Sequence, residues 1–282
     1  MSVREKELMR VAFGLFVVGL LIIAGAFVVC GFNPLELSRR VSGYEQRTAN
    51  LVGSFTKVRV EDVDANVYVL PAKDGKCSVI YDETRRSTHH VGIDGDTLTI
   101  ERQRSWLDSF GIFMSAPKLT VYLPEAAYEE LYVHAVSGSV RVEGLNCETL
   151  DIQTTSGGIR LTDVNVEGDA GLKCVSGGIK LESVKVGSMN AHTTSGGIKL
   201  TSVLAGSLTA RTTSGGIRLE GVDAGDMELH SVSGGIKGTV LSDKQFEVSS
   251  VSGGVRVSES VPGAGLCRAH TTSGGISLFV EG

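Results

Sequence analysis

Proline is scarce in this 282-residue chain, at five residues, and a single tryptophan stands among 9 Phe and 6 Tyr. So little proline, without a G-X-Y period, excludes a collagen-like or proline-rich chain. Positive charge is not in excess either. Lys and Arg number 27 against 32 Asp and Glu, a net charge of −5, so the chain has no general electrostatic attraction to nucleic acid. No C-x-x-C pair occurs among the five cysteines, and G-x-S-x-G, H-E-x-x-H, P-loop and G-x-G-x-x-G motifs are absent. No catalytic set, cofactor site or metal site is indicated, and the expectation is a protein that is not an enzyme.

What the chain has is glycine and one long apolar run. Glycine is 36 of 282, and 41% of residues are apolar, which excludes disorder along the whole chain and suggests regular turns between short strands. Residues 11–30 carry no charge, and Gly31 and Phe32 extend the run. About 20 residues suffice to cross a ~30 Å hydrocarbon core, so residues 11–32 read as one transmembrane helix. Ala24-Gly25-Ala26 has the form of a leader cleavage site, but the apolar run continues past it through Val29, which favours an uncleaved anchor. Basic residues flank both ends almost equally. The short basic tail, residues 1–10, is expected to stay cytoplasmic, which places the rest outside the cell membrane. Residues 33–56 are polar and read as an irregular juxtamembrane stalk, ahead of a body spanning 57–282.

Residues 131–282 repeat internally. The pentapeptide [T/V]-S-G-[G/S]-[I/V] occurs eight times, with serines at 137, 156, 176, 195, 214, 233, 252 and 273, spaced 19 to 21 residues apart. A fixed period near 20 implies a stacked solenoid. With each serine as register zero, apolar residues fill −6 (Leu131, Leu150, Ala170 and onward) and −4 (Val133, Ile152, Leu172 and onward). Small or hydroxyl residues fill −2, polar residues intervene, and +3 is always Ile or Val. This period-two alternation predicts half-buried strands whose equivalent residues stack ~4.8 Å apart. The predicted fold is all-β, a β-solenoid of about eight regular coils, with less regular coils over 57–130 preceded by the membrane helix.

The first glycine of each pair is present in every copy, whereas the second is Ser139 in the first copy. The first is therefore expected to hold a positive φ that side chains resist. The turns lack the lysine and following helix of a phosphate-binding loop, so they are read as structural.

The KVRVEDVDANVYV opening, the KLTVYLP strand and the TSGGI[K/R]L units resemble a widespread bacterial family, over roughly residues 50–282. Its members carry the label "putative adhesin" or domain of unknown function and have a toast-rack-like β-solenoid. The resemblance implies a cell-envelope repeat domain. Some members are encoded with envelope-stress signalling components, and none supplies catalytic residues to carry over.

Register +4 is the leading binding candidate. Arg141, Arg160, Lys180, Lys199, Arg218, Lys237 and Arg256 would form a cationic ladder on one outward face. Glu143, Glu182 and Glu220 at +6 offset it in part. It reads either as a groove for an anionic envelope polymer or lipid headgroups, or as a solvated face whose aliphatic stems cover the sheet. The segment 105–117 is the second candidate. It gathers Trp106, Phe110, Ile112, Phe113 and Met114, either to close the stack or to contact a membrane or partner. Cys147, Cys174 and Cys267 fall in registers that fit buried thiols. His134, His192, His230 and His270 share the outward −3 column, and chain order sets the nearest two coils, or about 9.6 Å, apart. The last coil ends at Leu278-Phe279-Val280 without a cap, an edge that could template self-association. Together these features point to a membrane-anchored, non-catalytic binding or scaffolding module. The alternatives are a regulator of an envelope-stress system acting through a membrane protein partner, and a carbohydrate-active enzyme.

Overall fold

The computed structural model describes residues 44–84, 87–104 and 117–281. The expected anchor, residues 11–32, and the aromatic segment carrying Trp106, Phe110, Ile112, Phe113 and Met114 lie outside the described residues. Among the described residues no helix is long and apolar enough to cross a membrane.

The regular coils form as the alternation predicts. Strands β8 (Ala127–Ala135), β9 (Val140–Glu143) and β10 (Asn146–Thr154) lead into four long strands. These are β11 (Ile159–Cys174), β12 (Ile179–Thr193), β13 (Ile198–Thr212) and β14 (Ile217–Ser231). Each long strand runs along one wall, bends, and continues along the other. All pair in parallel with residues matched column to column: Ile159 with Ile179, Ile179 with Ile198, Ile198 with Ile217. That row is about 1% exposed, and the −4 row of Ile152, Leu172, Ala191 and Ala210 is fully buried. Every large aliphatic residue buried this way stabilises the stack by roughly 1.5–3 kcal/mol.

Chain order and stacking order part at both ends. Strands β15 (Ile236–Val240), β16 (Lys244–Ser252), β17 (Val255–Val257), β18 (Gly265–Ser273) and β19 (Ile276–Val280) make the last coils. The final coil, β18 and β19, pairs with β14 and β15 on one side and with β16 and β17 on the other. It lies between coils that precede it in sequence. The 21-residue interval before Ser273 contains the Pro262-Gly263 turn, with Gly263 at φ 84°, and supplies the crossover. Lys244 fills the corner where the chain steps over the open rung. Its Nζ donates to Asp223 Oδ1 at 2.8 Å, the Ala224 carbonyl at 2.6 Å and Ser242 Oγ at 2.8 Å. The edge expected at Leu278–Val280 is thus an interior strand. The open edge is formed by β16 and β17, where Val251 is 73% exposed.

The other end is built the same way. Strands β2 (Lys57–Asp62) and β3 (Asn66–Pro71) lie inside, next to β8 and β9. Strands β6 (Thr97–Arg104) and β7 (Lys118–Leu123) stack outside them. Strands β4 (Cys77–Glu83) and β5 (Ser87–Asp94) then run antiparallel to β7 and β6 and finish this end. Within the stretch read as an irregular stalk, Glu45–Leu51 forms a strand, β1, paired with β4.

The turn glycines act by proximity. None of the first glycines has a positive φ, contrary to the expectation from sequence. A β-carbon on Gly157, Gly177, Gly196 or Gly215 would instead lie 2.0–2.2 Å from the carbonyl oxygen of the first glycine in the adjacent coil. The second glycine is less confined. A β-carbon on Gly158, Gly178, Gly197 or Gly216 would meet the next carbonyl at 3.0–3.2 Å, which is why Ser139 is accommodated. Gly168, Gly187, Gly206, Gly225 and Gly265 make a second close-approach column at another corner, where a β-carbon would come within 2.1–2.9 Å of a carbonyl oxygen. Positive φ belongs to register +7, occupied by Gly144 and Gly221 but also by Asp163 (54°), Ser183 (55°) and Ser202 (52°).

The −2 column completes the turn. Thr154, Thr193, Thr212, Ser231 and Thr271 each donate a buried hydroxyl to the first-glycine carbonyl of the neighbouring coil at 2.7–2.8 Å. Thr193, Thr212 and Ser231 also accept from the first-glycine N–H of their own coil at 2.9–3.2 Å. Each hydroxyl therefore satisfies two backbone groups that the turn would otherwise bury unpaired. In one coil the Cys174 thiol takes this place.

Two outcomes follow for stability. Gly196→Ala drives a β-carbon into the Gly177 carbonyl and is expected to cost about 3 kcal/mol, while Gly197→Ala costs under about 1 kcal/mol. Ser202→Gly relieves a left-handed residue and is expected to stabilise by about 0.5–1 kcal/mol after the entropy of the added glycine. Thermal or urea unfolding of the three variants reads both.

Candidate anion-binding groove

The +4 column is continuous through the stack. Tyr68 pairs with Arg141, and the column runs on through Arg160, Lys180, Lys199, Arg218 and Lys237. Ser277 and then Arg256 finish it, since the inserted last coil sets its serine between Lys237 and Arg256. Seven strand spacings carry the ladder about 34 Å. Outward-facing strand positions place all these side chains at the surface. Three carboxylates answer seven cations. Lys199 Nζ and Arg218 Nε share Glu220 at 2.9 Å each, Lys180 reaches Glu182 at 3.6 Å, and Arg141 contacts Glu143. Hydrogen bonding from Lys199 holds the exposed Glu220 carboxyl below its usual range. Arg160, Lys237 and Arg256 have no ion-pair partner among the described residues, and the face carries 7 − 3 = 4 net positive charges.

Beside the ladder the second glycines leave a trough. A groove of about 590 Å³ is lined by Gly158, Gly178, Gly197 and Gly216 along its floor and by the cations from Arg141 to Arg218, with Tyr68 at one end. It continues past Gly235, Gly275 and Gly254 beside Lys237 and Arg256. The sequence shows the cations; the trough follows from the absence of side chains next to them once the coils stack.

The other candidates separate clearly. His230 and His270 are direct neighbours, with stacked rings 5.3 Å apart, because the inserted coil sits against β14. The spacing of two coils expected from chain order does not hold for this pair. His270 Nδ1 lies in hydrogen-bond contact with Ser249 Oγ at 2.8 Å. Among the described residues no group of three or more His, Cys, Asp or Glu side chains could hold a metal ion. Cys77, Cys147, Cys174 and Cys267 are buried and free. Burial pushes the thiols of Cys77 and Cys267 up to about 11 and that of Cys147 up to about 12, which keeps them protonated and unreactive at neutral pH.

A buried charged cluster near β5 is absent from the reading of the sequence. Asp62, His89 and Arg102 have side chains exposed by 2% or less. His89 Nε2 lies 2.9 Å from Asp62 Oδ2, and Arg102 Nε donates to Ser87 Oγ at 2.8 Å. The Ala65 N–H donates to Asp62 Oδ1 at 2.7 Å, and Glu83 accepts from the His89 N–H. The signal is present in the alternation: Val58, Val60, Asp62 and Leu98, Ile100, Arg102 both end an inward apolar series on a charge. Burial pushes the Asp62 carboxyl up, but the His89 hydrogen bond, the Arg102 charge and the Ala65 N–H together outweigh it and hold the group below the usual carboxylate range.

A carboxylate with a depressed folded-state pKa stabilises above the unfolded value of ~3.9, and loses that contribution as pH falls through the folded value. Asp62→Asn is expected to cost about 3 kcal/mol at pH 7, and the gap to the unsubstituted protein narrows below pH ~4. Unfolding curves across pH 2–8 check the sign, with ~3.9 as the reference.

Comparison with known proteins agrees with this architecture. A model of the Toastrack DUF4097 family matches residues 55–281. No curated protein matches the chain. Among solved structures, a "putative lipid binding protein" from Parabacteroides distasonis is 14% identical, with a TM-score of 0.50, over 84% of this chain and 96% of that one. A "putative adhesin" from Bacteroides fragilis is 15% identical, with a TM-score of 0.40, over 84% and 97%. At such identities the likeness is one of fold. The family match extends over nearly the whole stacked body, and the chain belongs to the Toastrack DUF4097 family.

Proposed function

We propose that this chain is a non-catalytic binding module of the bacterial cell envelope. Residues 11–32 anchor it in the cell membrane, and the solenoid faces outward and holds an anionic envelope polymer along its cationic groove. One observation carries the reading: seven cations in a single column of eight coils, interrupted only at Ser277, border a trough that no side chain fills. Random surface charge does not give so long a line of one sign, and like charges on adjacent strands work against the sheet. A bound polyanion would remove that repulsion. The partial set of acids at +6 keeps the unbound face tolerable while leaving net positive charge.

The test replaces Arg160, Lys180, Lys199 and Arg218 together with glutamine. An exposed charge contributes about 0.5 kcal/mol, so the four account for roughly 2 kcal/mol, or about 30-fold in affinity. Binding to anionic envelope polymer, measured at rising salt, is expected to weaken by that factor and to lose most of its salt dependence. Equal binding by both proteins would refute the proposal.

A further inference from the structure

The groove has a second set of donors besides its cations. The backbone N–H groups of Gly158, Gly178, Gly197, Gly216, Gly235 and Gly275 make no hydrogen bond among the described residues, although the carbonyls of the same glycines are all paired. These glycines are exposed or half-buried, so their N–H groups face solvent and are open to a ligand acceptor. The first coil shows what kind. There the equivalent N–H, that of Ser139, donates to Asn66 Oδ1 at 3.0 Å, and Ser139 Oγ donates to the same oxygen at 2.7 Å. Asn66 occupies, one coil below, the position that glycine fills further along, because Val67 pairs with Val140 as Ile159 does with Ile179. From Gly178 onward the neighbouring coil offers no side chain at that position. By the equivalence of the coils, each N–H is aimed at a gap where Asn66 places an oxygen.

We infer that this row of N–H groups and the cationic ladder form one site, which binds a linear acidic polysaccharide with one carboxylate on each sugar, laid across the coils. This rests on the groove reading above and names its ligand. Five successive coils, from Gly158 with Arg160 to Gly235 with Lys237, each supply one free backbone donor and one cation, repeating every ~4.8 Å. In an extended chain of uronic acid rings neighbouring carboxylates lie on opposite edges, so those on the edge facing the trough recur at about twice the coil spacing and meet every second coil. Each accepts one N–H, as Asn66 Oδ1 does, and lies beside one Arg or Lys. Hydrogen bonds to an ionised acceptor are the stronger kind. Inorganic polyphosphate sets its charges closer together than the coils, and lipid headgroups form a plane that does not follow a trough. Tyr68, in the same column at the head of the ladder, lines the groove and gives a terminal ring an aromatic face.

The experiment measures binding of the full-length protein in detergent to galacturonate oligomers of increasing length, to inorganic polyphosphate, and to phosphatidylglycerol vesicles. Affinity for the oligomers is expected to rise with length, with a gain for each further carboxylate that faces the trough. Gly178→Asn and Gly197→Asn each place a side-chain oxygen where Asn66 has one, and are expected to weaken oligomer binding about tenfold with the cations untouched. Gly178→Ser, which copies the residue at Ser139, serves if an asparagine variant fails to fold, with a smaller loss in the same direction. The inference is overturned if the glycine variants bind oligomers as tightly as the unsubstituted protein, or if polyphosphate or vesicles bind as well as the oligomers, while the four-glutamine variant binds none; the cationic groove then stands without this ligand. If no polyanion binds in a way that the glutamine variant weakens, the groove reading falls as well.

Discussion

The carbonyl oxygen of each first turn glycine lies where a β-carbon of the next one would be, and this contact sets the pitch of the whole molecule. Two backbones come so close only where neither carries a side chain. Once that corner is fixed, every following residue is in step with its counterpart above and below. The interior rows of isoleucine and leucine, the hydroxyl column that serves the turn carbonyls and the outward cations all inherit their alignment from it. A β-solenoid coil cannot bury its own apolar face, so the stack is cooperative by construction. A fault at one glycine corner removes two interfaces at once.

The same bare corner explains why a groove exists at all. Only the first glycine is demanded by the contact. The second is permitted by it, and Ser139 shows that a side chain fits there. Glycine at that position from Gly158 onward therefore leaves a trough that stacking does not require, flanked by charge that the core does not need. Thiols, by contrast, are absorbed by packing: Cys174 stands in for a threonine hydroxyl, and Cys147 and Cys267 are buried in the core with their ionisation suppressed.

Much of this was legible in the sequence because period and register are one-dimensional properties. The eight serines gave the coil length, the alternation gave the inward columns, and the family resemblance followed from the same units. Four things were not legible, each for a physical reason. Coil order does not follow chain order at the C-terminal end, so the pairing of His230 with His270 and the burial of the last strand do not show in the register of the repeats; the longer interval before Ser273 is the one trace of them. The glycine requirement was assigned to backbone twist rather than to crowding, because crowding comes from a residue nineteen or twenty positions away. The Asp62, His89 and Arg102 cluster is hidden because a single inward charge at the end of an apolar series looks like the start of a solvated loop until its partner, far away in sequence, is stacked beside it. The unpaired N–H groups leave no trace in residue identity, since every non-proline residue carries one.

The coil that opens the stack in chain order, β2 with β3, lies two layers in from one end of the column, and the coil that closes it, β18 with β19, lies one layer in from the other. A pull on the C-terminus, or on the N-terminus once the short strand β1 has given way, therefore acts on a layer clamped between two others. Peeling it away means shearing two rows of hydrogen bonds together, whereas an outermost layer would unzip along one. Tension applied at either end thus enters where the fold is doubly held, and the layers free to fray carry little of the load.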